Sequence, residues 1–160
     1  MRVPLSLTLT VAATSCLLPS EPVERLDLSV SLSADRMRPD SGVLVRVEAT
    51  NRTTRPVHLE TTGGCVVSFA VVAPNNVDVG PRFGCSSILV LRDIAPSEAV
   101  VMEYNLVPTP RWDGVRGAVR WPAGTYQVVG HLLDRHTQIV RRTEPVVFEL
   151  VCRDPSWTEC

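Results

Sequence analysis

Residues 26–34 read LDLSVSLSA, with Leu26, Leu28, Val30 and Leu32 at every second position and Asp27, Ser29, Ser31 and Ser33 between or after them. A period of two puts the four apolar side chains on one face of an extended chain and the four polar ones on the other. That is the pattern of a half-buried β-strand.

The same pattern continues outward. RMRPDSG (36–42) is a turn, where Pro39 and Gly42 supply the angles a turn needs. VLVRVEATN (43–51) is a second strand with Val43, Val45, Val47 and Ala49 inward. Further strands are expected in PVHLE (56–60), CVVSFAVVA (65–73), SSILVLRD (86–93), EAVVMEYNLV (98–107), GTYQVVGHLL (124–133) and EPVVFEL (144–150). NRTTRP, TTGG, PNN and IAPSE separate most of them. No segment carries a helical period. Short strands with turns at regular intervals predict an all-β fold, an antiparallel sandwich or barrel. One loop is long, Pro108 to Gly124 (PTPRWDGVRGAVRWPAG), and long loops on rigid sheets often carry function.

The chain has 160 residues, the size of one domain, and a formal charge of −1. No global field attracts nucleic acid, so no nucleic-acid partner is expected. No apolar run reaches the roughly 18 residues of a spanning helix.

The amino terminus, MRVPLSLTLTVAATSC, has three zones: a positive start at Arg2, an uncharged apolar core from Val3 to Ala13, and small residues before Cys16. This is the layout of a secretory signal peptide over residues 1–15. It resembles the bacterial lipoprotein signal, in which a box of small or aliphatic residues ends in a cysteine that is acylated and becomes the new amino terminus. Cys16 matches that position and Ser15 an accepted small one. The resemblance implies lipidation of Cys16 and a membrane partner through the lipid anchor. One acyl chain holds a protein marginally, and several hold it durably. Residues 16–24 read as a tether, and Leu17 implies sorting to the outer membrane by the same resemblance. Ala13 and Ser15 also fit ordinary signal cleavage, which would release a secreted or periplasmic product.

With Cys16 set apart, Cys65, Cys85, Cys152 and Cys160 remain, an even number suited to an oxidising compartment. A hairpin turning at Pro74-Asn75-Asn76 makes partner numbers sum to 150 and sets Cys65 opposite Cys85, at disulfide distance. Spacing then pairs Cys152 with Cys160, clipping the tail CRDPSWTEC. No C-x₂₋₄-C pair exists, so no metal site and no cofactor is expected.

A wider resemblance runs from about Val43 to Leu133. It is carried by the strand ending in Thr50-Asn51, the IAPSE turn before a strand, the Trp112-Asp113-Gly114 element, and PAGTY leading into VVGHL. These features are similar to the BsuPI-type intracellular proteinase inhibitor domain. The resemblance implies an immunoglobulin-like antiparallel β-sandwich of about 7–9 strands over residues 25–160. It also implies a non-catalytic protein-interaction role, with a protease as the partner class.

Few residues suggest chemistry. His58, His131 and His136 have no ligand spacing, and no G-x-S-x-G is present, so catalysis is not expected. Arg111, Trp112, Arg116, Arg120 and Trp121 form a candidate binding loop, because Trp and Arg dominate interface hot spots. The same tryptophans could stack on sugars, which makes a carbohydrate-binding module one alternative and a purely structural envelope domain another. The competing view of that loop is that Trp112 caps the sandwich core and the arginines are solvated. Asn51-Arg52-Thr53 matches a glycosylation pattern but reads here as a strand-end turn.

Overall fold

The computed structural model describes residues 22–109, 111–113, 117–119 and 121–152. The signal peptide, Cys16 and most of the tether lie outside the described residues, as does the tail from residue 153. A 3₁₀ turn at Pro22–Arg25 leads into the strands β1 (Leu26–Leu32), β2 (Arg36–Met37), β3 (Val43–Asn51), β4 (Val57–Thr62), β5 (Val67–Val72) and β6 (Leu89–Ile94). They continue as β7 (Ala99–Leu106), β8 (Arg111–Asp113), β9 (Gly117–Val119), β10 (Gly124–Leu133), β11 (Ile139–Arg142) and β12 (Val146–Leu150).

The fold is an antiparallel, immunoglobulin-like β-sandwich. One sheet has the order β1-β3-β7. In the other, β10 pairs β5 on one edge and the broken return strand β11/β12 on the other, with β2 beyond β12. The alternation that predicts the first strands also sets their burial. Leu26, Val43, Val45, Val47 and Ala49 are fully buried, and Asp27, Ser29 and Ser31 face solvent. Phe69, Val71, Tyr126, Val128, Phe148 and Leu150 meet them from the second sheet. Each such aliphatic or aromatic side chain contributes about 1.5–3 kcal/mol by leaving water.

All eight expected segments are strands. Among the described residues there are twelve strands, more than the 7–9 expected, because three devices subdivide the pattern. β1 and β2 are a single run that changes sheets: β1 pairs β3, and β2 pairs β12 in parallel through Arg36↔Glu149 and Met37↔Leu150. β11 and β12 are one return strand interrupted before Pro145, which has no amide to donate. β8 and β9 form a small ladder inside the long loop.

The body also begins earlier than residue 25, since Val23 is buried in the core. The hairpin expected between Cys65 and Cys85 needs a correction. Its turn is present, with Val72 bridged to Asp78 in the register summing to 150, and the Val79 amide bonded to the Val71 carbonyl. Beyond Gly80 and Pro81 no ladder follows; the partner of β5 is β10. Pro81 cannot donate to a ladder, and β10 offers a full antiparallel partner. The disulfide Cys65–Cys85 nevertheless forms, with Cα atoms 5.8 Å apart. Cys152 is buried and also disulfide-bonded, and its expected partner Cys160 lies outside the described residues.

Candidate functional site

The candidate binding loop divides. Trp121 is only 5% exposed. Its Nε1 donates to the Thr109 carbonyl at 3.0 Å, and its ring stacks on Tyr126, which stacks in turn on Phe148. Tyr126 Oη donates to the Pro122 carbonyl at 2.6 Å. This is the tyrosine-corner arrangement of immunoglobulin-like sandwiches, at the start of the strand after the crossing. Trp121 is therefore a core residue, with only an edge reaching an open pocket of about 290 Å³ beside Pro81, Arg82 and Tyr104. The core-capping role falls to Trp121. Arg111 and Trp112 sit on β8 with Trp112 opposite Ala118, while Arg116 and Arg120 lie outside the described residues.

The histidines do not converge. His58 Nδ1 lies 2.5 Å from Asp93 Oδ1 across the β4–β6 ladder, both exposed. His131 is half-buried on β10, and His136 is in the β10–β11 turn. Burial pushes the His131 pKa down, Arg142 adds to the effect, and Asp78 opposes it. Among the described residues no group of three or more His, Cys, Asp or Glu is placed to hold a metal ion. No helix among them is long and apolar enough to cross a membrane.

A different surface stands out. β4 and β6 form a separate two-stranded antiparallel ribbon, with Val57 opposite Ile94 and Thr62 opposite Leu89. Its inner face is anchored by Val57, Leu59, Thr61 and Ile94, all buried, and β4 lies against the 3₁₀ turn. The start of β6 is not covered. Ile88 is 70% exposed, Leu89 59%, Val90 38% and Leu91 71%. Four consecutive large apolar residues in water are unusual for a soluble surface.

The backbone of β6 adds to this. The Gly63 amide donates to the Ile88 carbonyl. By the alternation of an antiparallel ladder, Ile88, Val90 and Arg92 turn their backbone groups toward β4, and Leu89, Leu91 and Asp93 turn theirs outward. Among the described residues nothing pairs with that outer edge. Edge strands are usually blunted by Lys, Pro or a bulge, and Ser87–Leu91 contains none of these.

An open cleft of about 570 Å³ continues from this edge, lined by Thr62, Cys85, Ser87, Arg135, His136 and Thr137 among others. Gly63 makes the junction possible. Its φ is +64°, and a Cβ there would lie 2.4 Å from the Ser86 amide nitrogen. Sequence reasoning places SSILVLRD as a strand but misses its exposure. An apolar run of four reads as core, and nothing local reports that the strand sits at the rim of a two-stranded ribbon.

No family model matches the chain, and no curated protein matches it either. Among solved structures it is similar to a β-glucosidase from Erythrobacter marinus, at 12% identity and a TM-score of 0.48, over 79% of this chain and 16% of that one. It is also similar to a β-D-glucoside glucohydrolase from Trichoderma reesei, at 12% identity and a TM-score of 0.43, over 78% of this chain and 18% of that one. A third is an alkylpurine DNA glycosylase from Pseudomonas fluorescens bound to DNA containing an abasic site analogue, at 12% identity and a TM-score of 0.41. There the overlap is 79% of this chain and 30% of that one. The chain thus spans less than a third of the length of each of these three proteins.

Proposed function

We propose that this chain is a cell-envelope lipoprotein, anchored through Cys16, whose sandwich is a non-catalytic protein-interaction module. The observation that carries the interaction role is the uncovered apolar edge of β6, which offers outward backbone groups and exposed Leu89 and Leu91 side chains together. A strand from another chain satisfies both at once, since main-chain hydrogen bonds give affinity and alternate side chains give selectivity. Lipid satisfies only the side chains, because it leaves backbone amides and carbonyls without partners. The disulfide Cys65–Cys85 supports an oxidising, extracytoplasmic compartment. Within this reading the BsuPI resemblance names proteases as a partner class, to be checked against a protease panel.

The experiment is photocrosslinking in intact cells, with a photoreactive residue at Leu91 and, as control, at the exposed Ser31 on β1. The reading predicts a protein adduct from Leu91 and none from Ser31. No adduct from Leu91, or equal adducts from both, contradicts it.

A further inference from the structure

The edge of β6 fits one partner in particular. We infer that it pairs antiparallel with the same edge of a second copy of this chain, forming a continuous sheet β4-β6-β6-β4 across a two-fold axis. The inference rests on the reading of β6 as a contact surface and names what covers it.

Geometry narrows the register. In an antiparallel pair, opposed residues share a face, so a strand paired with itself must be centred on one residue. Centring on Arg92 or Asp93 opposes a charge to its own copy, which is destabilising. Centring on Leu91 puts Leu89 against Asp93, and centring on Leu89 puts Leu91 against Ser87. Centring on Val90 opposes Leu89 of each copy to Leu91 of the other. It also sets Val90 against Val90 and Ile88 against Arg92, whose aliphatic stem can lie along it, and it places the Arg92-Asp93 pair of each copy at its own end of the seam, away from the same residues of the other.

The hydrogen bonding agrees with that choice. Leu89 and Leu91 carry the outward backbone groups, so their two pairs exchange amide-to-carbonyl bonds. Val90 occupies the close, non-hydrogen-bonded position at the centre. The four leucines then gather on the outward face of the ribbon, beside His58, Glu60 and Thr62, which lie opposite β6 on β4. Two-stranded ribbons are marginal in water, and three or more strands with an apolar face are stable. Self-pairing gives four strands and leaves no free apolar edge at β6. It also closes after two copies, as a two-fold contact must.

The test is position-specific crosslinking of the full chain in its own envelope. Opposed Cα atoms at the centre of such a pair lie about 4.5 Å apart, within disulfide range. Val90→Cys is therefore expected to give a band of twice the mass on a non-reducing gel, lost on reduction. Leu89→Cys carries the same native cysteines, but its own copy is about 8 Å away in this register, and it should give no such band. Sedimentation of the detergent-solubilised full chain should report two copies. Leu91→Lys should report one, with a melting midpoint matching that of the unaltered chain diluted until it too sediments as one copy, because Leu91 is exposed and loses only the pairing.

A single-chain mass for the unaltered protein overturns the proposal, as does equal crosslinking from both cysteine variants. If the chain is single while Leu91 still photocrosslinks to a different protein, self-pairing falls and the interaction reading stands. If Leu91 gives no adduct and the chain is single, both fall.

Discussion

Asn51 answers two demands with one side chain. Its Nδ2 donates to the carbonyls of Arg55 and Ile94 at 2.9 and 2.8 Å, and its Oδ1 accepts from the Thr53 amide and hydroxyl at 2.9 and 2.7 Å. It is fully buried, so no glycan can attach, and it ties the end of β3 to the end of β6. Asn51→Leu strands several buried groups at once, each worth about 1–3 kcal/mol. It should lower stability by about 3 kcal/mol, read as a shifted urea midpoint at constant slope. His131 gives a pH prediction. Its folded pKa is depressed below the ordinary 6.5, chiefly by burial and secondarily by Arg142. The unfolded chain therefore takes up more protons once pH drops below about 6.5, and stability falls from there down through the folded value. Urea midpoints between pH 8 and pH 5 should show that fall, and His131→Gln should remove part of it. An unchanged slope in the variant contradicts the assignment. The Asn51-Thr53 turn was readable from residue types alone. The role of Trp121 was not, since a loop tryptophan beside arginines looks the same in sequence whether it faces water or stacks on Tyr126.

Strand periodicity survives at the level of elements because it is local. Alternation in 26–32 and 43–51 maps directly onto burial. Pairing is not local, which is why β5 was expected to fold back on residues 77–85 but joins β10 instead. The disulfide was still predictable, because the turn alone brings Cys65 and Cys85 near each other. That bridge closes a loop of 20 residues and, on the chain-entropy account, stabilises by about 3 kcal/mol. Cys65→Ala paired with Cys85→Ala should lower the urea midpoint accordingly. Gly130 on β10 marks where the sheets meet. A Cβ there would lie 3.1–3.3 Å from Thr143, Val47 and Val30. Gly130→Val should cost about 1–3 kcal/mol by overpacking, and a neutral effect in thermal melts would mean the sheets part easily. The β6 edge shows the opposite limit of sequence reading. Its composition is that of a core strand, and only the arrangement of neighbours decides that Leu89 and Leu91 meet solvent.

In the proposed lipoprotein, a short chain joins the sandwich to a membrane. From Cys16 to Pro22 the backbone can reach about 20 Å at most. Pro22 begins the turn that lies against β4, so an anchor at Cys16 keeps the β4–β6 ribbon close to the bilayer. Copies confined to one membrane meet at raised effective concentration, which favours a weak edge contact. The proposed location rests on the charge, length and small side chains of the first sixteen residues. The exposed edge of β6 is not legible in the sequence, because exposure depends on which strand is left at a rim. The most direct measurement is the intact mass of the chain purified from membranes. The account predicts a chain beginning at Cys16 and carrying added acyl mass on that residue. A chain that begins elsewhere, or that begins at Cys16 with an unmodified thiol, contradicts it.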